Sequence, residues 1–250
     1  MTLRATEDDA ALRAFTTRDG RAGVLLDFDG TLSPIVARPE LAKIRDGARD
    51  AIGRLVERLA IVAVISGRTP AELEELVAVP GVVLAGLYGL GEEAITLPAG
   101  VADQVTGIAA TVPGTRVESK GASIAVHFRG ADDPDDARGR LAPALEAVAL
   151  DAGMALIAGK KVWELVPGGR PLKEGAVERI VTEARLDAVL YAGDDVADQR
   201  AFEALDRLAA DGLTTLKVAV HGPETPPQLA GSADIVVDGP AGLVALLRRI

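Results

Sequence analysis

Cysteine is absent from this 250-residue chain, which excludes disulfide bonds and thiolate chemistry and allows a reducing compartment. Positive charge is also in short supply. With 27 lysines and arginines against 37 aspartates and glutamates, the net charge of −10 argues against nucleic acid or an anionic membrane surface as a partner. No apolar run approaches the roughly 20 residues that a membrane span needs. The opening residues 1–9 are polar and acidic and lack the basic start and apolar centre of a secretory signal, so a cytoplasmic protein is expected. Internal repeats and low-complexity tracts are missing too. The remaining composition, 48% hydrophobic and 26% charged, is that of an ordinary globular protein. The length suits one large domain or two small ones, either with a proper core. An anionic small molecule stays compatible with the acidic balance, because a metal ion and a few local lysines can reverse the field inside one cleft.

The most informative stretch is Asp27-Phe28-Asp29-Gly30-Thr31-Leu32, which follows the apolar run Gly23-Val24-Leu25-Leu26. An apolar run ending in carboxylates at i and i+2 reads as a buried strand that delivers both acids to the same side of its tip. Gly30 lets the backbone turn away sharply and brings its N–H close to whatever sits there. One acid can serve as nucleophile and the other as proton carrier, and both can hold a hard cation through oxygen. A strand ending in an Asp-rich turn is the plain alternative for these residues alone.

Apolar runs alternate with helical stretches through the first ninety residues: strands at 24–26, 61–65 and 82–87, helices at 47–59 and 70–77. The same alternation returns after Pro171, with helices at 174–184, 198–209 and 241–249 and strands at 188–191, 216–220 and 235–237. This predicts a doubly wound (Rossmann-like) sheet of parallel strands, whose C-terminal ends form the ligand crevice. Between the halves the pattern changes. Residues 121–129 alternate like a half-exposed antiparallel strand, 137–152 read as a helix, and 154–158 with 161–166 read as a hairpin turning at Gly159-Lys160. The expected division is therefore a core of 1–91 and 168–250 interrupted by an α+β cap at 92–167. Residues 222–228 read as a surface loop.

The hexapeptide resembles the first motif, DxDGT, of the haloacid dehalogenase-like (HAD) phosphohydrolases. Further pieces of that pattern follow in order: Val62-Ala63-Val64-Ile65-Ser66-Gly67-Arg68, then Lys173 in Pro171-Leu172-Lys173-Glu174-Gly175-Ala176, then Ala192-Gly193-Asp194-Asp195-Val196-Ala197-Asp198. The cap signature ESKG…HYR of the trehalose-6-phosphate phosphatases is similar to Glu118-Ser119-Lys120-Gly121 with His127-Phe128-Arg129. Their second cap motif, GK…E…P, is similar to residues 159–167, which include Glu164. Placing the insert between Tyr88 and Lys173 also resembles the sugar-phosphate phosphatases of the superfamily.

The resemblance implies an α/β HAD core with an inserted α+β cap and a Mg²⁺-dependent phosphatase acting on a small-molecule sugar phosphate, trehalose 6-phosphate first. The alternatives are another disaccharide phosphate or a non-catalytic sugar-binding regulator. It implies Asp27 as nucleophile and Asp29 as general acid and then base. Lys173 and Ser66 would steady the phosphoryl oxygens, with Gly30, Gly67 and Arg68 also meeting the substrate. The implied metal ligands are Asp27, the carbonyl of Asp29, and Asp194, with Asp195 and Asp198 behind them. Glu118, Lys120 and Glu164 would hydrogen-bond sugar hydroxyls. His127 reads as structural. Nucleic acid and membrane are not expected partners, and a monomer is expected. Taken singly, Lys173 also reads as a solvated charge and Asp194-Asp195 as a helix cap. The chain departs from the family pattern at Tyr88, where His is usual, at Ala197 and Gln199 in the last motif, and at Val166 before Pro167.

Overall fold

In the computed structural model, which describes residues 10–13, 15–16, 21–89, 96–169 and 172–250, β1 (Ala22–Leu26) is an interior strand with apolar side chains on both faces. Val24 and Leu26 enter one apolar layer and Leu25 the other. This is why the segment reads as an unbroken apolar run rather than an alternation. The chain divides into two compact units, Met1–Gly91 with Pro171–Ile250, and Glu92–Arg170.

The first unit is a six-stranded sheet in the order β10-β9-β8-β1-β2-β3, with every neighbouring pair parallel. Its other strands are β2 (Ile61–Ile65), β3 (Val83–Ala85), β8 (Ala188–Gly193), β9 (Thr214–His221) and β10 (Ile235–Asp238). The helices Ala48–Arg58 and Gly239–Leu247 pack on one face, and Lys173–Glu183 and Val196–Ala210 on the other. Strand order runs outward from β1 through β2 and β3, then outward again from β8 on β1's other side. The border between β1 and β8 is thus the point where the winding reverses, and the crevice at their C-terminal ends is where such sheets bind ligands. Asp27 and Asp194 follow those two ends directly.

The second unit is a four-stranded antiparallel sheet, β4 (Arg116–Ser119), β5 (Ile124–His127), β7 (Val162–Pro167) and β6 (Met154–Gly159) in that order. Two helices, Val101–Ala109 and Pro134–Asp151, cover one face through Val105, Phe128, Leu141, Leu145 and Leu165. On the opposite face Glu118, Ala125, Glu164 and Ile157 stand in one cross-strand row. Among the described residues, no helix is long and apolar enough to cross a membrane.

Several boundaries differ from expectation. The helix Val101–Ala109 and strand β4 were not anticipated. The loop expected at 222–228 gives way at Pro227 to a short helix, Pro227–Ser232. The hairpin turns one residue later than expected, because Lys161 takes the left-handed conformation at φ 59°. The long helix starts at Pro134 instead of 137, since Asp133 accepts the N–H groups of Asp135 and Asp136, both at 3.0 Å. Strand β3 stops at Ala85, because Leu87, Tyr88 and Gly89 all adopt positive φ (51°, 58° and 80°).

Candidate active site

Asp27 extends β1 by one bond, its N–H donating to Ala192 O on β8 at 2.9 Å. The chain then doubles back: Leu32 and Ser33 N–H both donate to Phe28 O at 2.9 Å. Gly30, at φ 92°, makes this turn possible. A Cβ there would fall onto the Asp194 carboxylate, so glycine also makes room for the acid at the end of β8. The Gly30 N–H does not face a substrate as expected. It donates to Ser33 O at 2.7 Å, which closes the turn.

Lys173, the first residue of its helix, is buried, with a relative exposure of 3%. Its Nζ donates to Asp27 Oδ1 at 2.7 Å and to Asp198 Oδ1 at 2.6 Å. The solvated-charge reading of this lysine is thereby corrected. Burial alone would lower the Lys173 pKa, but Asp198 and Asp27 outweigh it and raise it, so the ammonium stays charged. Burial pushes Asp27 up to about 7 against the pull of Lys173. Among the described residues, Asp27 Oδ2 makes no hydrogen bond.

Asp198 is fully buried and receives four donors. Lys173 Nζ and Tyr191 Oη reach its Oδ1, each at 2.6 Å, and the N–H groups of Asp194 and Asp195 reach its Oδ2 at 2.8 and 2.9 Å. Burial, with Asp198 adding to it, raises the Tyr191 pKa well above its ordinary value and keeps the phenol a donor. Asp195 caps the helix Val196–Ala210, its Oδ1 accepting Val196 N–H at 2.6 Å. The cap reading of this residue therefore holds. Asp194 is buried, with Thr31 Oγ1 donating to its Oδ1 at 3.3 Å.

One carboxylate oxygen from each of Asp27, Asp194 and Asp198 lies within 4.8 Å of the others. An all-oxygen set of buried acids suits a hard divalent cation. The pKa of Asp27 points the same way, since its charged form lacks enough positive company with Lys173 alone. Because donors already fill Asp198, the two residues placed to hold a cation by side chain are Asp27 and Asp194.

Beyond β2, Ser66 is buried and its Oγ accepts Arg68 N–H at 3.3 Å. Arg68 was expected on the substrate, but its guanidinium lies on Asp29, with Nε 2.7 Å from Oδ2 and Nη2 2.8 Å from Oδ1. Nη2 also donates to Pro39 O at 3.0 Å, and the group stacks over Phe28 at 5.3 Å. A buried guanidinium needs a planar, charged partner, and Asp29 supplies one. Gly67 lies under the Tyr88 ring: a Cβ there would come within 2.6 Å of the ring and its hydroxyl.

In the second unit Glu164 is buried and accepts from Ser123 Oγ at 2.7 Å and Lys120 Nζ at 3.3 Å. Glu118 pairs with His127 Nε2 at 2.6 Å. That hydrogen bond, above the other causes, lowers the Glu118 pKa from 4.5 to about 2. The sheet thus brings Lys120 together with Glu164, while Glu118 is engaged by His127, in keeping with a structural histidine.

Sequence reasoning missed Tyr191, Thr31 and Ser123. Only Tyr191 left a signal, as a polar ring in an otherwise apolar strand next to the acidic motif.

A trehalose-phosphate phosphatase of Mycobacterium avium is 34% identical over 210 residues, covering 75% of this chain and 53% of the relative. An uncharacterised glycosyl hydrolase of Mycobacterium tuberculosis is 36% identical over 209 residues, which is 74% of this chain but 15% of that protein. The chain spans about half the length of its curated phosphatase relatives. Among solved structures, the C-terminal domain of C. albicans trehalose-6-phosphate phosphatase superposes with a TM-score of 0.79 at 24% identity, over 98% of this chain and 94% of that one. The likeness shows the shared fold. The sequence pattern of the trehalose-phosphatase family runs through residues 25–233, from β1 past the acidic tip of β8, and by that match the chain belongs to the trehalose-phosphatase family.

Proposed function

We propose that this chain hydrolyses trehalose 6-phosphate to trehalose and phosphate through an aspartyl-phosphate at Asp27. One observation carries the reading. Lys173 holds Asp27 by Oδ1 in a buried setting, which leaves Oδ2 for attack while its partner oxygen keeps a counter-charge. Oδ2 forms a bond to phosphorus, the ester P–O bond breaks, and the sugar oxygen leaves with its electron pair and takes a proton from Asp29. Water then gives a proton to Asp29 and attacks phosphorus, and the P–O bond to Asp27 breaks to restore the carboxylate. Lys173 and the Ser66 hydroxyl steady the oxygens of the transferred group.

Mg²⁺ is the cation we assign to Asp27 and Asp194, with the Asp29 carbonyl as the third protein ligand that the family pattern implies. When bound, it supplies the positive charge that lets a carboxylate and a phosphate meet. Trehalose as the sugar is supported by the family match and by the pairing of Lys120 with Glu164 in the second unit. A second reading, another disaccharide phosphate, is favoured by Tyr88, which stands where the family pattern has histidine. A purely regulatory role is disfavoured, because Asp27, Asp29 and Lys173 are all in place. The test is phosphate release from a panel of sugar phosphates, with and without Mg²⁺. Trehalose 6-phosphate should be turned over fastest, and only with the metal. Release from none of the esters would overturn the reading.

A further inference from the structure

Tyr191 sits on β8 among apolar neighbours, fully buried, its ring meeting Phe202 edge-on at 6.2 Å between centroids. Packing accounts for the ring. It does not account for the hydroxyl, which points out of the apolar layer and donates to Asp198 Oδ1 at 2.6 Å. The same oxygen accepts Lys173 Nζ at 2.6 Å, and the same ammonium reaches Asp27 Oδ1 at 2.7 Å. The phenol is therefore three hydrogen bonds away from the attacking group, through two residues, Asp198 and Lys173, that are both buried.

Asp198 has no exposure, and its second oxygen is taken by two backbone N–H groups. Among the described residues, the phenol hydroxyl and the Lys173 ammonium are the two donors on Oδ1. Without the phenol hydroxyl, Lys173 would be the lone donor to that oxygen. The desolvated charge on Asp198 would then draw the ammonium more strongly, at the expense of its bond to Asp27. Glycine at 193 belongs to the same arrangement, since a Cβ there would overlap the Asp198 carboxylate.

We propose that Tyr191 is a positioning residue for the nucleophile: by sharing Asp198 Oδ1, its hydroxyl sets where the Lys173 ammonium rests between Asp198 and Asp27, and so fixes the attacking rotamer of Asp27. The proposal rests on the phosphatase reading above. It separates two roles that one side chain usually merges. The ring serves the core and the hydroxyl serves the chemistry, so a variant that keeps the ring should remain folded and turn over slowly. A misplacement of about 1 Å in a reacting group can lower a rate by about a hundredfold.

The experiment compares Tyr191→Phe with Tyr191→Leu on p-nitrophenyl phosphate and trehalose 6-phosphate, with the melting temperature as a check on folding. Tyr191→Phe should melt near wild type, lose about tenfold or more in kcat on both esters and keep KM within about twofold. Tyr191→Leu should lose no less activity and also melt lower. A Tyr191→Phe enzyme that keeps kcat within threefold overturns the proposal, because the ring alone then suffices. A double-mutant cycle identifies the route. In a Lys173→Gln background, adding Tyr191→Phe should cost less than twofold, and persistence of the full loss overturns action through Lys173. Should Lys173→Gln not fold, the split between kcat and KM in Tyr191→Phe decides alone: a change in KM with kcat retained counts against the proposal. A wild type inert to every phosphate ester overturns the phosphatase reading and this proposal together. An active wild type with a silent Tyr191→Phe overturns this proposal only.

Discussion

Arg68 grips Asp29 through both carboxylate oxygens, at 2.7 and 2.8 Å, while its own plane is fixed by Pro39 O and the Phe28 ring. Of the two partners Asp29 is the more exposed, its side chain 37% accessible against 8% for Arg68. A rigid cation thus holds an accessible acid two residues beyond the nucleophile. If Asp29 protonates the leaving oxygen, Asp29→Asn should slow the first turnover of a sugar phosphate by about a hundredfold or more. It should slow p-nitrophenyl phosphate far less, because that leaving group needs little protonation. Arg68→Met, which keeps the buried stem and removes the fork, should show the same dependence on leaving group at a smaller scale, about tenfold on the sugar ester. Rapid-quench measurement of the first equivalent released checks both. Equal losses on the two esters would return Arg68 to the substrate contact that the resemblance implies.

Asp27→Asn should remove turnover while preserving the fold, because the amide keeps the shape and loses the nucleophilic charge. The expected loss is at least a thousandfold in kcat, a barrier change of about 4 kcal/mol. Turnover within tenfold of wild type would place the nucleophile elsewhere.

Metal dependence has a readout other than rate. Mg²⁺ that binds the folded protein alone should raise its melting temperature. Asp194→Ala should abolish that rise and push the metal requirement for activity up by tenfold or more, and EDTA should silence the wild type. Asp198→Asn should behave differently. It should lower the melting temperature even in EDTA, because its carboxylate serves four internal donors and not the cation. An Asp194→Ala protein with an unchanged thermal response to Mg²⁺ would contradict the assigned ligand.

Acid should weaken the second unit through Glu118. Its pKa in the folded protein, about 2, lies below the ordinary 4.5, chiefly through the hydrogen bond from His127. A depressed carboxyl pKa contributes stability that is complete above about 4.5 and disappears as the pH falls through about 2. Glu118→Gln has no such contribution to lose. Calorimetry at pH 6 should therefore find the variant less stable by on the order of 2 kcal/mol, a figure reduced for the 21% exposure of the side chain. The gap should close as the pH is taken from 4.5 toward 2. A constant gap across that window would show that the pair contributes nothing electrostatic.

The strand tips were legible in the sequence because each combines an apolar run with an abrupt polar end: Asp27 after β1, Ser66 after β2, Asp194 after β8. The parallel character of the sheet follows from the same alternation, while its strand order came only with the structure. What local pattern cannot carry is the partner of a long side chain. Arg68 beside Ser66 reads as a substrate contact until the fold brings it to Asp29, 39 residues away. The Gly30 N–H was spent inside a turn whose closing residue, Ser33, could not be singled out. Strand β4, with the sequence RVES, hid because its exposed face is charged and its inward residue Val117 is only partly buried. The helix Val101–Ala109 hid behind Gly107 and Thr106, weak helix formers that its packing overrides.

The last prediction separates sugar recognition from phosphoryl chemistry. Lys120 and Glu164 form one ion pair at 3.3 Å, and Ser123 donates to the same Glu164 oxygen at 2.7 Å. Two donors on one oxygen hold the buried acid in a single orientation, and a polyol offers hydroxyls that suit such a carboxylate and its ammonium partner. In the proposed role, Lys120→Ala and Glu164→Gln should each lower kcat/KM for trehalose 6-phosphate by about tenfold or more, the cost of a lost hydrogen bond to a charged group in a desolvated place. Turnover of p-nitrophenyl phosphate, which carries no sugar, should stay within about twofold of wild type. Glu164→Gln is the informative variant, because its amide oxygen can still accept from Ser123 and preserve the local geometry. Glu164→Ala would empty the site and confound packing with recognition. If Glu164→Gln slows both esters equally, the pair is structural and trehalose loses its support from the second unit. If it slows neither, the sugar is read elsewhere. The left-handed turn that holds the Tyr88 ring over Gly67 would then be the next place to mutate, with Tyr88→Phe and Tyr88→His compared on the same sugar panel.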